Sequence, residues 1–467
     1  MDKVVNILFH RKKYARERTI YTMNEKETLQ YVEELKRYGI VPGLDSMKRL
    51  CQKLGDPQEM LRFIHIAGTN GKGSVLALLS TVLWQGGYRV GRYSSPAVFS
   101  YYERIWVNGR PIPKRALCDC MTRVKEACDA LTAEGFPHPT VYEAETAAAF
   151  LYFRDCGCDI VVLETGMGGR EDATNLIQNT LAAVFTPIGM DHMQFLGDTP
   201  EKIAGQKAGI IKNGCYVISA HQEDAVLTVL REEAEAKGCP FIVVGEVEKP
   251  HYGLEEQSFS YTDANSKKWE KLKISLAGMQ QPENASLVLE VLSCLAKCGY
   301  SVAEAKLRAG FLKTVWPGRF QILSKKPLFV VDGAHNEQAA KKLAQSVRFY
   351  FTNKRIIYIM GILRDKEYEK IVEETYRYAE HIITVTPPEN KRALEGLTLA
   401  QTVREYHPAV TVADSLEEAV EMAYLLAGKE DVILCFGSLS YLARAAELVE
   451  KELSRMRGKK GGRKDHG

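Results

Sequence analysis

A chain of 467 residues is too long for one hydrophobic core and divides into two or three domains. Hydrophobic residues make up 45% and charged residues 26%, the balance of a globular protein, and a net charge of +3 gives no overall pull toward nucleic acid or membrane. The first residues lack the unbroken apolar run of a signal peptide, and no apolar stretch is long enough to span a bilayer. Eleven cysteines, an odd number without CxxC pairs or histidines at zinc spacing, are expected as free thiols in a reducing cytoplasm. Those of "CDC" (Cys118, Cys120) and "CGC" (Cys156, Cys158) fall in helix or helix-end segments and are expected buried. The basic runs "HRKKYARER" and "RGKKGGRKDHG" read as solvated tails.

In chain order, "RFIHIA", "RVGRYSS", "DIVVLET", "LAAVFTPI", "CYVISA" and "FIVVG" read as short apolar strands. Helical patterns such as "SVLALLSTVLWQGG" and "EAETAAAFLYFRD" lie between them. Strands without polar alternation, separated by helices, predict a mostly parallel sheet covered on both faces. The polar stretch "SFSYTDANSKKWEKLKISLAG" predicts a small antiparallel ribbon. "PLFVVDGAH", "RIIYIMGI", "HIITVTPP", "AVTVADS" and "DVILCFGSLS" then repeat the strand–helix alternation. Between the two series Trp316-Pro317-Gly318 breaks any helix. The expected architecture is α/β: a mostly parallel, P-loop-containing domain over 23–316, then a smaller Rossmann-like α/β domain over 317–456. Residues 1–22 form an extension or reflect an early start, and 457–467 form the basic tail.

"HIAGTNGKGSV" places a glycine-rich turn between a strand and a helix. That position aims backbone N–H groups and the positive end of the helix at an anion. The usual phosphate loop ends Gly-Lys-Ser/Thr, whereas here Gly73 separates Lys72 from Ser74. The plain alternative, a tight turn with incidental glycines, is weakened by a lysine and a serine in the same turn. Downstream, "VVLETGMGGREDATN" ends a strand at Glu164, and "TPIGMDHMQFLGDT" puts Asp191 and His192 just after another. In a parallel sheet these residues share the rim that carries the loop. Glu164 suits Mg²⁺ and His192 is a less typical ligand. Taken singly, one is equally a loop cap and the other a turn histidine.

"AGTNGKGS", "YSSP", "LETGMGGREDATN", "DHMQFLGDT", "KAGIIK", "PGRF" and "DGAHN" occur in the order found in folylpolyglutamate and dihydrofolate synthases. The chain therefore resembles that family, within the ATP-dependent Mur ligase superfamily, from about Met23 to its last helix. The Lys-Gly-Ser order is the form this superfamily uses. The resemblance implies that a substrate carboxylate attacks the γ-phosphate of ATP and becomes an acyl phosphate. The amino group of L-glutamate then displaces phosphate and leaves an amide.

The resemblance also implies roles for residues. Gly71, Lys72, Gly73 and Ser74 would cradle ATP, while Ser95, Glu164 and His192 would hold Mg²⁺. Lys207, in "GQKAGIIK", matches a lysine that is carbamylated in this family; unmodified, it is a helix-face lysine. Asn284 would contact the nucleotide, Arg319 its phosphates and Asp332 its ribose, and His335 would lie near the reacting groups. The plain alternatives are a linker salt bridge for Arg319 and an Asx turn for Asp332.

Pterin-site candidates are Gly43 and Leu44 in "VPGLDS", Tyr142 and Glu143 in "TVYEAET", and Asp172. A ring can stack on a pterin, and a carboxylate can pair with its amino-pyrimidine edge. Tyr142 stands where the family commonly has phenylalanine, Gln206 replaces the usual glutamate before the lysine, and Gln280 replaces a common histidine. These departures leave the ATP site intact and bear on substrate choice.

Small-molecule partners are therefore expected: ATP, L-glutamate, and a folate or dihydropteroate, bound by a monomer without nucleic acid or membrane. Three other readings stay open at this point. A non-catalytic nucleotide module is opposed by Lys72, Glu164 and His192 together. A phosphohydrolase without ligation is opposed by the second domain. A cell-wall amino-acid ligase is opposed by the folate-like segments "YSSPAVFSYYERI" and "TVYEAET".

Overall fold

The strand signals resolve into three sheets in a computed structural model that describes residues 21–461. The first holds β1 (Phe63–Ala67), β2 (Val90–Tyr93), β3 (Ile105–Val107), β4 (Arg110–Pro111), β5 (Ile160–Glu164), β6 (Thr180–Phe185), β7 (Tyr216–Ser219) and β8 (Phe241–Val243). Their order is β4-β3-β2-β5-β1-β6-β7-β8, parallel from β2 to β8. All five residues of β1 are buried, as a strand covered on both faces requires. Phe63 faces one core, shared with the helices Lys114–Ala133 and Val141–Asp155. Ile64 and Ile66 face the other, shared with the helices Lys72–Gln85 and Gln281–Lys297.

The antiparallel edge formed by β3 and β4 was not expected. Asn108 and Gly109 join these strands with positive φ at both residues, 51° and 71°. An Asn-Gly pair is a strong hairpin signal because it tolerates that backbone.

The expected ribbon is present as β9 (Glu248–His251), β10 (Gln257–Thr262) and β11 (Lys268–Ile274), with β9 an additional strand. It covers the second core through Phe259, Tyr261 and Trp269.

The third sheet holds β12 (Gln321–Lys325), β13 (Leu328–Val331), β14 (Ile356–Met360), β15 (His381–Val385), β16 (Val410–Ala413) and β17 (Val432–Phe436). Their order is β12-β13-β17-β14-β15-β16, and only β12 runs antiparallel. A smaller α/β unit thus follows the first, as expected.

Among the described residues, no helix is long and apolar enough to cross a membrane. All eleven cysteines are free; Cys118, Cys120 and Cys158 are buried, while Cys156 is only half-buried. Met23 is buried and its N–H donates to Thr122 Oγ1 at 3.0 Å. The last helix, Leu442–Gly461, continues beyond residue 457, where the basic tail was expected to begin. The run "HRKKYARER" and the final residues 462–467 lie outside the described residues.

Candidate active site

The carboxyl ends of β1, β5 and β6 face those of β13 and β14 across a cleft, the usual ligand position in open α/β sheets. A cavity of about 1040 Å³ fills it, lined by residues of both α/β units.

The glycine-rich turn lies where expected, between β1 and the helix Lys72–Gln85. Gly71 caps that helix at φ 90°, and a Cβ there would come within 2.8 Å of Asn284 Oδ1. Only glycine suits that backbone and that approach. Asn284 donates to Gln281 Oε1 at 3.0 Å, and Gln281 in turn donates to Ser74 Oγ at 3.3 Å. The lysines crowd behind the loop. Lys72 Nζ donates to the carbonyls of Gly68 and Thr69 at 3.0 and 3.2 Å, and Lys207 Nζ donates to the same Gly68 carbonyl at 2.9 Å. Burial lowers both amines, and the Lys72 charge helps bring Lys207 down to about 7.

Glu164 ends β5 and is 6% exposed. Burial pushes its carboxyl up to about 7, against the pull of Lys72, Arg319 and Arg92. His192 sits at φ 50° in the left-handed region, and burial, aided by nearby lysines, holds its imidazole below its ordinary value. It is therefore a neutral ring able to ligate a metal. Ser95, Glu164 and His192 all line the cavity. Among the described residues, no three His, Cys, Asp or Glu side chains form a metal cluster by themselves. A buried carboxylate, a hydroxyl and a neutral imidazole make a partial shell, which fits an ion that completes its coordination with phosphate oxygens and water.

From the other side come Arg319, Asp332 and His335. Asp332 accepts the N–H groups of Phe320 and Ala334, both at 2.8 Å, so it forms the Asx-type turn and also faces the cavity. His335 Nδ1 donates to the Gly333 carbonyl at 2.7 Å, which leaves Nε2 as the acceptor. Burial, with Lys366 nearby, brings this imidazole down to about 4, so it is neutral at ordinary pH.

Lys366 and Gln338 reach the cleft from outside any motif and meet residues of the motifs there. Lys366 Nζ lies 2.6 Å from Asp191 Oδ1, with side chains only 8% and 12% exposed. Burial would raise the Asp191 carboxyl, but Lys366 and His192 hold it well below the usual carboxylate range. Asn70 Nδ2 donates to Asn336 Oδ1 at 3.2 Å and to Gln338 Oε1 at 2.8 Å. These contacts bridge the two units.

The pterin candidates are not part of the cavity lining. Tyr142 donates to Asp172 Oδ1 at 3.3 Å, and its ring backs Gly166, which does line the cavity. Asp172 also accepts the N–H groups of Met167 and Thr174, at 2.8 and 3.0 Å. Gly43 and Leu44 precede the helix Asp45–Lys53, which packs on the elements carrying Tyr142 and Asp172. Glu143 is placed apart from these. Its Oε2 accepts the Thr140 N–H at 2.7 Å and the Thr140 hydroxyl at 2.9 Å, a capping box at the start of its own helix, while its buried Oε1 finds no partner.

Comparison with known proteins decides among the readings. Residues 122–292 match the Mur ligase middle domain, and residues 318–439 match the Mur ligase glutamate ligase domain. The dihydrofolate synthase/folylpolyglutamate synthase of Bacillus subtilis is 34% identical over 418 residues, 87% of this chain and 95% of that protein. The chain belongs to the folylpolyglutamate/dihydrofolate synthase family of the Mur ligases. The Escherichia coli enzyme of the same description is 30% identical, over 91% of this chain and 96% of its own. Among solved structures, Mycobacterium tuberculosis folylpolyglutamate synthase complexed with ADP and AMPPCP superposes with a TM-score of 0.83 at 29% identity, covering 91% of this chain and 99% of that one. Escherichia coli FolC in complex with DHPP and ADP gives a TM-score of 0.80 at 28% identity, covering 92% and 100%. This ligase is thus an ATP-dependent acid–amino-acid ligase that uses ATP and Mg²⁺. The cell-wall and hydrolase readings are not favoured.

Proposed function

We propose that this ligase adds L-glutamate both to dihydropteroate and to folates that already carry glutamate, through an acyl phosphate. The observation that carries the reading is one cavity shared by Lys72, Glu164 and His192 from one unit and Arg319, Asp332 and His335 from the other. In this reading Gly71–Ser74 receive the phosphates on backbone N–H groups, and Lys72 and Arg319 offset their charge. Ser95, Glu164 and His192 would hold Mg²⁺, which would supply positive charge to offset that of the phosphates. Asn284 and Asp332 orient the nucleoside. Tyr142 and Asp172, with Gly43 and Leu44 nearby, shape the pterin side, while the Glu143 carboxylate holds the helix that presents Tyr142.

The substrate carboxylate oxygen attacks the γ-phosphorus and ADP leaves. The glutamate nitrogen then attacks the acyl carbon, phosphate leaves with the bonding pair, and the proton lost from nitrogen passes to the departing phosphate. His335 Nε2, an acceptor in its neutral tautomer, takes an N–H of the incoming amine and aims the nitrogen lone pair at the carbonyl carbon. Contacts from Asn70 and Asp191 to the second unit keep water from the acyl phosphate. Carbamylation of Lys207 is supported by an amine brought down to about 7, since only the neutral amine attacks carbon dioxide. The resulting anion would sit against Lys72 and relieve the crowding of two amines on one carbonyl.

We assign the ATP-binding part to 23–316 and the C-terminal part to 317–456, acting as a monomer in the cytoplasm without nucleic acid or membrane. Eleven free cysteines support that compartment. The test is glutamate-dependent phosphate release by the full chain with ATP and Mg²⁺, offered dihydropteroate and tetrahydrofolate separately. Both should give amide products. Release with only one acceptor would confine the activity to that acceptor, and release without glutamate would overturn the ligase mechanism.

A further inference from the structure

Behind the cleft, a guanidinium lies between two indoles. Arg92, on β2, is 7% exposed, and its Cζ is 4.1 Å from the ring centroid of Trp106 and 5.2 Å from that of Trp316. Its Nε finds no hydrogen-bond partner, nor does the buried Nε1 of Trp316. Burial lowers the guanidinium only to about 10, so it keeps its charge at neutral pH. A buried cation with an unmet donor is unfavourable for stability, and the charges of Glu103 and Glu164 and the two aromatic faces offset only part of that cost. Its position therefore calls for a reason other than stability.

The two neighbours of the stack supply one. Trp316 directly precedes the Pro317-Gly318 turn that delivers Arg319 to the cavity. The Trp316 ring also lies on the phosphate loop: a Cβ at Gly73 would come within 2.4 Å of it. That contact leaves no slack, so a shift of the loop at Gly73 moves the indole, and the indole moves the linker. Arg92 also contacts the indole and, with Lys72 and Arg319, places positive charge beside Glu164.

We propose that the Trp106–Arg92–Trp316 stack couples nucleotide occupancy of the phosphate loop to the linker between the two units, with Arg92 as a positioning residue for ATP and Trp316 as the moving contact. This rests on the reading that Gly71–Ser74 hold the nucleotide. Nucleotide settling on the loop presses Gly73 against Trp316, and the linker then brings Arg319 to one position at the phosphates. Arg92, Trp106 and Trp316 themselves are not part of the cavity lining.

The chain has four tryptophans, Trp84, Trp106, Trp269 and Trp316, so emission can report the contact. ADP with Mg²⁺ titrated into the full-length protein should change tryptophan emission saturably. Trp84→Phe and Trp269→Phe should keep that change, and Trp316→Phe should lose it. Arg92→Met should raise the KM for ATP about tenfold while kcat stays within about twofold, the pattern of lost ground-state positioning. Arg92→Lys, which keeps a cation between the rings, should recover most of that loss. A full ADP-dependent emission change in Trp316→Phe would overturn the coupling, as would an unchanged KM in a folded Arg92→Met. If Arg92→Met does not fold, the Trp316→Phe titration alone decides. Lys72→Ala separates the two levels. Intact ADP affinity there would overturn the loop reading and the stack with it, whereas lost affinity beside unaffected Arg92 and Trp316 variants would overturn the stack alone.

Discussion

The two rims of the cleft are built on opposite electrostatic terms. On the first, Lys72 and Lys207 share one carbonyl, and Glu164 is buried with its carboxyl pushed up to about 7. On the second, Asp332 has a backbone N–H on each oxygen and His335 Nδ1 has a carbonyl. The first rim is left short of partners that ATP, Mg²⁺ and a carbamate would supply. On the second, the Asp332 carboxylate and His335 Nδ1 are met by backbone groups before any ligand arrives. Charges held without partners mark sites where stability is given up for binding, whereas satisfied groups hold shape. Substitutions on the first rim should therefore cost activity and spare stability, whereas those on the second should cost both.

The largest effect is expected at Lys72. Lys72→Ala removes the loop cation, and ATP turnover should fall by about two or more orders of magnitude. The melting temperature should hold or rise, because the variant removes a buried amine competing for the Gly68 carbonyl. Near-normal turnover would end the phosphate-loop assignment; a large fall in melting temperature would end the contrast between the rims.

Lys207→Ala should be nearly inactive for a different reason, loss of the proposed carbamate anion. Short carboxylic acids should partly restore turnover by occupying the vacated anion position, and they should do nothing for Lys72→Ala. Isotope-edited spectroscopy with labelled bicarbonate should show a carbamate signal in the active enzyme. A free amine in fully active enzyme would remove this role from Lys207.

On the satisfied rim, Asp332→Ala should cost both functions. Two buried backbone N–H groups lose their acceptor, at about 1–3 kcal/mol each, so denaturant unfolding should show a fall of a few kcal/mol. Affinity for ATP should fall as well. A variant as stable as the parent would show that the Asx turn does not depend on the carboxylate.

What could be seen in the chain beforehand follows the same line between local and distant causes. The strand–turn–helix around Gly71 and the α/β class are local patterns, and both are present, while Trp316-Pro317-Gly318 falls between the helix Glu304–Lys313 and β12. Lys366 was invisible because its partner Asp191 lies 175 residues away, and nothing about "LRDKEY" marks it alone. Gln281 and Asn70 likewise act through neighbours supplied by the fold. Two signals were readable but passed over. Asn108-Gly109 spells the β3–β4 hairpin, and Thr140-x-x-Glu143 spells a capping box. Glu143 resembled a ligand residue by its place in the family pattern, while its own four-residue context described a helix start.

The smallest expected effect is also the sharpest test of the strained rim, because Glu164 and Lys207 should respond to pH with opposite signs. Glu164 has an ordinary value of 4.5 and is raised to about 7 in the fold. Between those values the folded protein binds more protons at this group than the unfolded chain, so its contribution to stability falls as pH rises and is most adverse above 7. Lys207 has an ordinary value of 10.5 and is lowered to about 7. Between 7 and 10.5 the unfolded chain binds more protons at this group, so the adverse contribution is full below 7 and fades as pH rises. Without nucleotide or Mg²⁺, Glu164→Gln should therefore raise the melting temperature by a few degrees near about pH 8 and lose that gain toward about pH 5. Lys207→Met, in protein freed of bicarbonate, should show its gain near about pH 6 and lose most of it by about pH 10. Adding ADP and Mg²⁺ should reverse the first result, since the parent then gains stability from a ligand that Glu164→Gln binds poorly. Parallel pH profiles for the two variants, or a parent less stable with ADP and Mg²⁺ than without, would show that the charges of this rim are balanced within the protein and not held in reserve for the ligands.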